Sequence, residues 1–130
     1  MKIVSRNVNG LMACMEKGGI ASIQELQPDI VCLQEVRTQE RPKVLPGYHH
    51  YWETGQRKGY AGVLTIAKQE PLDVRMGLGN ESLDREGRLI TLEYQTFYLI
   101  NAYSPKAQDS PDRRAFRARW DGRCLVMCRN

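Results

Sequence analysis

The sequence predicts an α/β domain of the α+β kind: one twisted, mixed but mostly antiparallel sheet of about six strands, with helices on one face. Three observations predict it. Two apolar segments, Lys2-Ile3-Val4-Ser5 and Asp29-Ile30-Val31-Cys32-Leu33-Gln34-Glu35, each run into oxygen-bearing side chains and enclose a helical pattern. Short segments rich in Val, Ile, Leu and aromatic residues then follow one another between turn residues. From Ser110 onward, Phe116, Trp120, Cys124 and Cys128 recur every four residues, the repeat of a helix face.

The first strand ends before Asn7, Asn9 and Gly10, and Leu11, Ile20, Ile23 and Leu26 then fall near a helical period. Gly18-Gly19 interrupts that period and marks a break inside the helical region. Pro28 ends it and leads into the strand that finishes at Glu35. Further strands are expected at Tyr48–Glu53, Val63–Ala67, Leu72–Met76, Arg88–Tyr94 and Phe97–Tyr103. Gln95-Thr96 supplies a two-residue hairpin connection without the favoured glycine. In the C-terminal helix, Gly122 costs about 1 kcal/mol relative to alanine. Two helices can cover one face of the sheet. The other face, equally apolar, is expected to be bare and to invite self-association or a complementing chain.

Strands that finish in carboxylate and amide oxygens at one sheet edge form a polar site of the kind that holds a hard cation. Mg²⁺ takes oxygen ligands, often only one or two of them carboxylates, and leaves the other positions to water and substrate phosphate. Glu35, with Asn7 and Asn9 beside it, points to metal-assisted phosphate chemistry. Taken singly, each residue has a plainer reading: Glu35 as a surface ion-pair partner, Asn7 as a turn residue, Tyr103 as a packed strand-end aromatic. Their joint order lifts them above it.

The 130 residues are 42% hydrophobic and 26% charged, which suits one domain with a modest core. No apolar run approaches the length of a bilayer span, and no charged-then-apolar leader precedes the first strand, so a soluble, cytoplasmic chain without membrane contact is expected. Cys14, Cys32, Cys124 and Cys128 lie in apolar segments and read as reduced and buried; their spacing argues against zinc. The net charge of +4 is compatible with a polyanionic partner, and Arg113, Arg114, Arg117 and Arg119 crowd one segment. That cluster reads equally as a solvated helix face or as a phosphate-contacting one. His49 and His50 fit no catalytic pattern and read as surface residues.

Five ordered segments carry a resemblance: Lys2 to Leu11, Asp29 to Glu35, Lys58-Gly59-Tyr60-Ala61-Gly62-Val63, Asp84-Arg85-Glu86-Gly87-Arg88-Leu89-Ile90, and Phe97 to Pro105. Together they resemble the exonuclease III class of apurinic/apyrimidinic (AP) endonucleases, in the endonuclease/exonuclease/phosphatase superfamily with the deoxyribonuclease I-like fold. The resemblance implies a DNA-repair phosphodiesterase, dependent on Mg²⁺ or Mn²⁺, acting on double-stranded DNA with abasic sites or blocked 3′ ends. It implies that Glu35 binds the metal, with Asn9 proximal to it, and that Asn7 orients a neighbouring catalytic group. Tyr103 would contact the scissile phosphate, and Arg37, Tyr60 and Arg113 the DNA. Lipid and inositol phosphatases of the same superfamily resemble the Lys58 and Asp84 segments less closely.

The chain also departs from the pattern. Arg6 stands where relatives carry an aromatic or apolar residue, so its guanidinium must reach solvent or a partner. Lys106 replaces an asparagine, and Asp109 an arginine that engages DNA. The later family motifs, Gly-Asp-x-Asn and Ser-Asp-His, are not in this sequence, so residues 1–130 are expected to form the N-terminal half of such a domain. The alternative reading is therefore a truncated, inactive fragment that retains DNA affinity or needs a second chain.

Overall fold

The computed structural model describes residues 1–57, 59–107 and 110–129. In chain order the elements are β1 (Ile3–Asn7), α1 (Leu11–Glu16), α2 (Gly19–Glu25), β2 (Ile30–Gln34), β3 (His49–Glu53), β4 (Val63–Ala67), β5 (Asp73–Met76), β6 (Leu89–Glu93), β7 (Tyr98–Ala102) and α3 (Pro111–Arg129). The predicted strands form. They do not form one sheet. β1-β2-β4-β3 make a four-stranded sheet and β5-β6-β7 a three-stranded one.

In the first sheet β1 runs parallel to β2, Asn7 opposite Gln34, whereas β2 and β3 are both antiparallel to β4. Alternation along the strands sends the two faces of this sheet to different partners. Val31, Leu33, Leu64 and Ile66 pack against Leu11 and Cys14 of α1 and Ile20 and Ile23 of α2. Ile30, Cys32, Val63 and Ala67 pack against Ile90, Leu92 and Leu99 of the second sheet and against Tyr94. β2 is thus buried on both faces, which is why its sequence is an unbroken apolar run. Each fully buried leucine or isoleucine contributes roughly 1.5–3 kcal/mol.

The expectation of a bare inner face is therefore corrected: the second sheet covers it. Apolar alternation says that a face is buried, but strands with the same alternation pair or stack according to the connections between them. Here the Pro71 connection carries the chain away from β4, so β5 pairs with β6. Helices lie on both outer sides, since Trp120 of α3 packs on Leu78, Leu83 and Leu89 beyond the second sheet.

Local chemistry accounts for the helices. Gly18, at φ 79°, separates α1 from α2, and a side chain at Gly19 would collide with Cys14 Sγ. The glycine pair makes the tight corner that the sequence places there. Arg6 is exposed, its Nη1 beside Gly19, so the substituted guanidinium reaches solvent. α3 starts with Ser110 Oγ accepting the Arg113 N–H, Pro111 in the first turn and Asp112 behind it. All four thiols are free, but Cys128 is exposed, which corrects the expected burial. A four-residue step advances about 40° beyond a full turn, so a face centred on Trp120 drifts into solvent by Cys128.

Between the sheets lies a buried polar tie. Asn101 on β7 is 1% exposed, and its Nδ2 donates to Leu64 O at 3.0 Å and Thr65 Oγ1 at 3.1 Å. Its Oδ1 accepts from Gln34 Nε2 at 2.8 Å, and Gln34 also donates to Ser5 Oγ at 3.1 Å. β7, β2 and β1 are thereby held in one register at the end of the sheet where the polar residues emerge. Among the described residues no helix is long and apolar enough to cross a membrane.

Candidate active site

Main-chain bonds bring the strand-end loops together. The Gly10 N–H donates to Glu35 O at 2.8 Å, and the Leu11 N–H to Val36 O at 2.9 Å. On the other side, the Val36 N–H donates to Gly62 O at 3.0 Å and the Arg37 N–H to Ala61 O at 2.9 Å. The Tyr103 N–H donates to Arg88 O at 2.8 Å. Every loop that carries a predicted site residue is tied to a neighbour.

These loops also hold unusual backbone conformations. Asn9, Glu35, Arg37 and Ala61 have φ of 47°, 57°, 54° and 53°. The left-handed region costs a non-glycine residue about 1–2 kcal/mol, and such strain persists where surrounding structure over-determines it. At Glu35 the conformation turns the chain out of the sheet immediately after β2.

The Glu35 side chain is 13% exposed and engaged on both oxygens. Oε1 accepts the Tyr103 hydroxyl at 2.6 Å, and Oε2 faces Arg37 Nη2 at 3.1 Å. Burial, and then the bond to Glu35, raise the Tyr103 phenol above its ordinary pKa, so it remains a proton donor at neutral pH. Asn7 and Asn9 are exposed and close on each other, the Asn9 N–H donating to Asn7 Oδ1 at 3.0 Å. Tyr60 stands with its ring beneath Arg57, 5.1 Å from the guanidinium carbon, and its hydroxyl accepts from Arg88 Nη2 at 3.4 Å. Glu35, Tyr103 and Arg37 are thus in direct contact, Asn7 and Asn9 sit at the parallel strand end beside them, and Tyr60 joins through Arg88.

Arg113 is placed differently from a free DNA contact. Its Nη2 meets Glu86 Oε1 at 3.1 Å, and its guanidinium lies over Phe116. Arg117 is likewise used inward, donating to Pro105 O at 2.9 Å and pairing with Asp121. His49 is exposed, whereas His50 is half-buried and bonds the Val44 carbonyl. Lys106 is exposed; Lys58 and Asp109 lie outside the described residues.

The donor set suits a hard divalent cation. Among the described residues no group of three His, Cys, Asp or Glu side chains is placed to hold a metal. A cation at Glu35 would draw on one carboxylate and the neighbouring amide oxygens, with water and substrate oxygens in its other positions. That arrangement fits Mg²⁺ and Mn²⁺ and does not fit a structural zinc.

Sequence reasoning missed Arg88 and Glu86 as site residues. Arg88 is 3% exposed, and its Nε pairs with Glu86 Oε1 at 3.1 Å. The available signal was a charge pair at Glu86 and Arg88 opening an apolar strand, where an arginine must find a partner. Gly87 between them, at φ 65°, lies so close to the Thr54-Gly55 backbone that a side chain would come within 2.6 Å of it.

The sequence profile of the Endonuclease/Exonuclease/phosphatase family matches residues 7–126. An exodeoxyribonuclease of Bacillus subtilis is 41% identical over 124 residues, covering 93% of this chain and 49% of that protein. The DNA repair nuclease APEX1 of Danio rerio is 42% identical over 128 residues, covering 93% and 41%. Among solved structures, the Xenopus laevis APE2 catalytic domain superposes with a TM-score of 0.82 at 29% identity, over 95% of this chain and 52% of that one. An AP endonuclease from Archaeoglobus fulgidus gives 0.78 at 30% identity, over 98% and 50%. The deoxyribonuclease I-like fold expected from the sequence is the fold observed, and the chain spans about half the length of the relatives it matches. With its match running from the Asn7 strand end through helix α3, the chain belongs to the endonuclease/exonuclease/phosphatase family.

Proposed function

We propose that this chain supplies the metal-binding, phosphate-facing half of a DNA phosphodiesterase centre. Its substrate would be duplex DNA carrying abasic sites or blocked 3′ ends, in the cytoplasm where the chromosome is repaired. One observation carries the reading: a carboxylate at the end of β2, held in a left-handed turn and gripped by a tyrosine hydroxyl and an arginine. Relatives named as an exodeoxyribonuclease and as a DNA repair nuclease support DNA as the substrate.

A bound Mg²⁺ or Mn²⁺ would supply Lewis-acid stabilisation of charge developing on the phosphoryl and leaving oxygens. Glu35 would hold it, Asn9 would sit proximal to it, and Asn7 would orient a neighbouring group. Tyr103, kept protonated by burial and by Glu35, would transfer its hydrogen bond from the carboxylate to a phosphoryl oxygen. Arg37 and Tyr60 would contact the DNA backbone. Arg113 would contribute field rather than a free guanidinium, because Glu86 engages it.

A complete reaction needs the water-activating aspartate and the histidine that the resemblance assigns to the later motifs. We infer that these come from a polypeptide segment docking on the open edges of β1 and β7. Each ends its sheet, and Ile3, Tyr98 and Ile100 are exposed there. The alternative is a non-catalytic chain that retains DNA affinity.

Binding and incision of a duplex with one synthetic abasic site, with Mg²⁺ and with chelator, test the reading. Preference for the abasic duplex, strengthened by Mg²⁺, is expected. Glu35→Ala should abolish the Mg²⁺ dependence, and Tyr103→Phe should weaken binding by about fivefold, the worth of one hydrogen bond. Incision by the purified chain would mean that self-association completes the centre. Equal affinity of all three proteins in both conditions would remove Glu35 and Tyr103 from the site and the reading with them.

A further inference from the structure

We propose that Arg88 is a positioning residue: its buried guanidinium sets the Tyr103 ring against Glu35, and Glu86 locks that guanidinium to helix α3 through Arg113. The role assigned rests on the reading of Glu35 and Tyr103 as the phosphodiesterase centre.

Arg88 grips Tyr103 at three points. Its carbonyl oxygen accepts the Tyr103 N–H at 2.8 Å, its Nη1 donates to the Tyr103 carbonyl at 3.0 Å, and its guanidinium carbon lies 4.8 Å from the ring centroid. The first two hold the main chain, and the third holds the face of the ring. Together they restrict where the hydroxyl can go, and the hydroxyl meets Glu35 Oε1 at 2.6 Å. The other guanidinium nitrogens are committed as well, Nε to Glu86 and Nη2 to the Tyr60 hydroxyl at 3.4 Å. The planar fork therefore contacts Tyr103, Tyr60 and Glu86 at once. A lysine ammonium, a point charge on a flexible stem, cannot do this.

Burial makes the arrangement dependent on Glu86. An arginine side chain 2% exposed needs a counter-charge, and Glu86 Oε1 provides it at 3.1 Å. The same oxygen meets Arg113 Nη2 at 3.1 Å. One carboxylate thus joins two guanidinium groups, one under the site tyrosine and one on α3. Arg117 of α3 adds a second tie by donating to Pro105 O, two residues beyond Tyr103. The docking of α3 and the posture of Tyr103 are coupled through these contacts.

The test uses the full chain labelled with meta-fluorotyrosine, each fluorine line being assigned by a Tyr→Phe variant. In Arg88→Lys the Tyr103 and Tyr60 lines should shift or broaden while those of Tyr48, Tyr51, Tyr94 and Tyr98 hold. Mn²⁺ affinity should fall by about tenfold, the usual cost of losing an outer partner of a ligand. An unmoved Tyr103 line overturns the proposal. If every line collapses, the variant has unfolded and Glu86→Gln decides. That variant keeps the guanidinium but loosens its hold: movement confined to the Tyr103 and Tyr60 lines supports the proposal, and no movement overturns it. Affinity for an abasic duplex is read on the same samples. Wild-type indifference to the lesion would overturn the proposed function, and the fluorine lines would still decide what Arg88 does.

Discussion

Glu35 and Glu53 emerge at the same end of the first sheet, one strand apart, since Gln34 and Glu53 both stand opposite Val63 in register. Their surroundings are opposite. Glu35 is clasped by a phenol and a guanidinium, both stabilising an anion. Among the described residues Glu53 meets no cation and its buried Oε2 has no hydrogen-bond partner, and Asp84 is near. Burial first, then Asp84, push its pKa from the ordinary 4.5 up to about 7, while the Leu89 N–H pulls the other way. Two identical side chains at equivalent places thus meet different company, two hydrogen-bond donors at Glu35 and burial beside a second carboxylate at Glu53. The difference comes from what the second sheet and its loops present, Tyr103 to one glutamate and the Asp84 loop to the other.

The largest effect should come from removing the tie that seats β2, the strand of Glu35, against β7. Asn101→Leu takes the Asn101 amide from Thr65 Oγ1 and from Gln34, which keeps Ser5 Oγ and Cys32 O, and should cost about 2–3 kcal/mol in urea unfolding. A loss no larger than that of an exposed substitution would mean that packing alone holds β2 and β4 against β7. Next, Glu35→Gln should weaken Mn²⁺ binding at least about tenfold, or 1.4 kcal/mol, whereas Glu53→Gln should leave it unchanged. Equal losses in the two variants would erase the functional distinction between them.

The smallest effect concerns Glu53 and pH. The folded chain keeps the Glu53 proton between about pH 4.5 and 7, where the unfolded chain has already released it. Stability should therefore fall as pH rises through that window and stay lower above it. Discounted for the partial exposure of the group, the penalty is about 1 kcal/mol. Glu53→Gln should match wild type near pH 4.5 and exceed it by that amount at pH 7.5 in thermal melts. Parallel pH curves for the two proteins would show that Glu53 ionises without cost.

Half of this comparison was legible in the sequence. Glu35 ends an unbroken apolar strand, Asn7 and Asn9 follow another, and Tyr103 ends a third, so strand-end logic and motif order found them without coordinates. Glu53 only closes the strand expected at Tyr48–Glu53, and nothing local says that Asp84 will lie beside it. Arg88 was visible only as a member of a motif, since its partners Tyr60, Glu86 and Tyr103 reach it from separate loops and its burial is set by the whole assembly. The four-residue stepping of α3 was read correctly as a helix, but not the drift that exposes Cys128.

By itself the sequence determined the elements and which polar residues stand at the strand ends. Those rest on hydrophobic period, on glycine and proline, and on residues close together along the chain. Tertiary structure decided that the strands divide into two sheets, that the second covers the first, and that Tyr103 meets Glu35 across 68 residues of chain. Those outcomes depend on long-range pairing, where alternating strands are locally interchangeable. Only the packing of both sheets at once selects among their pairings and assigns each buried charge its partner.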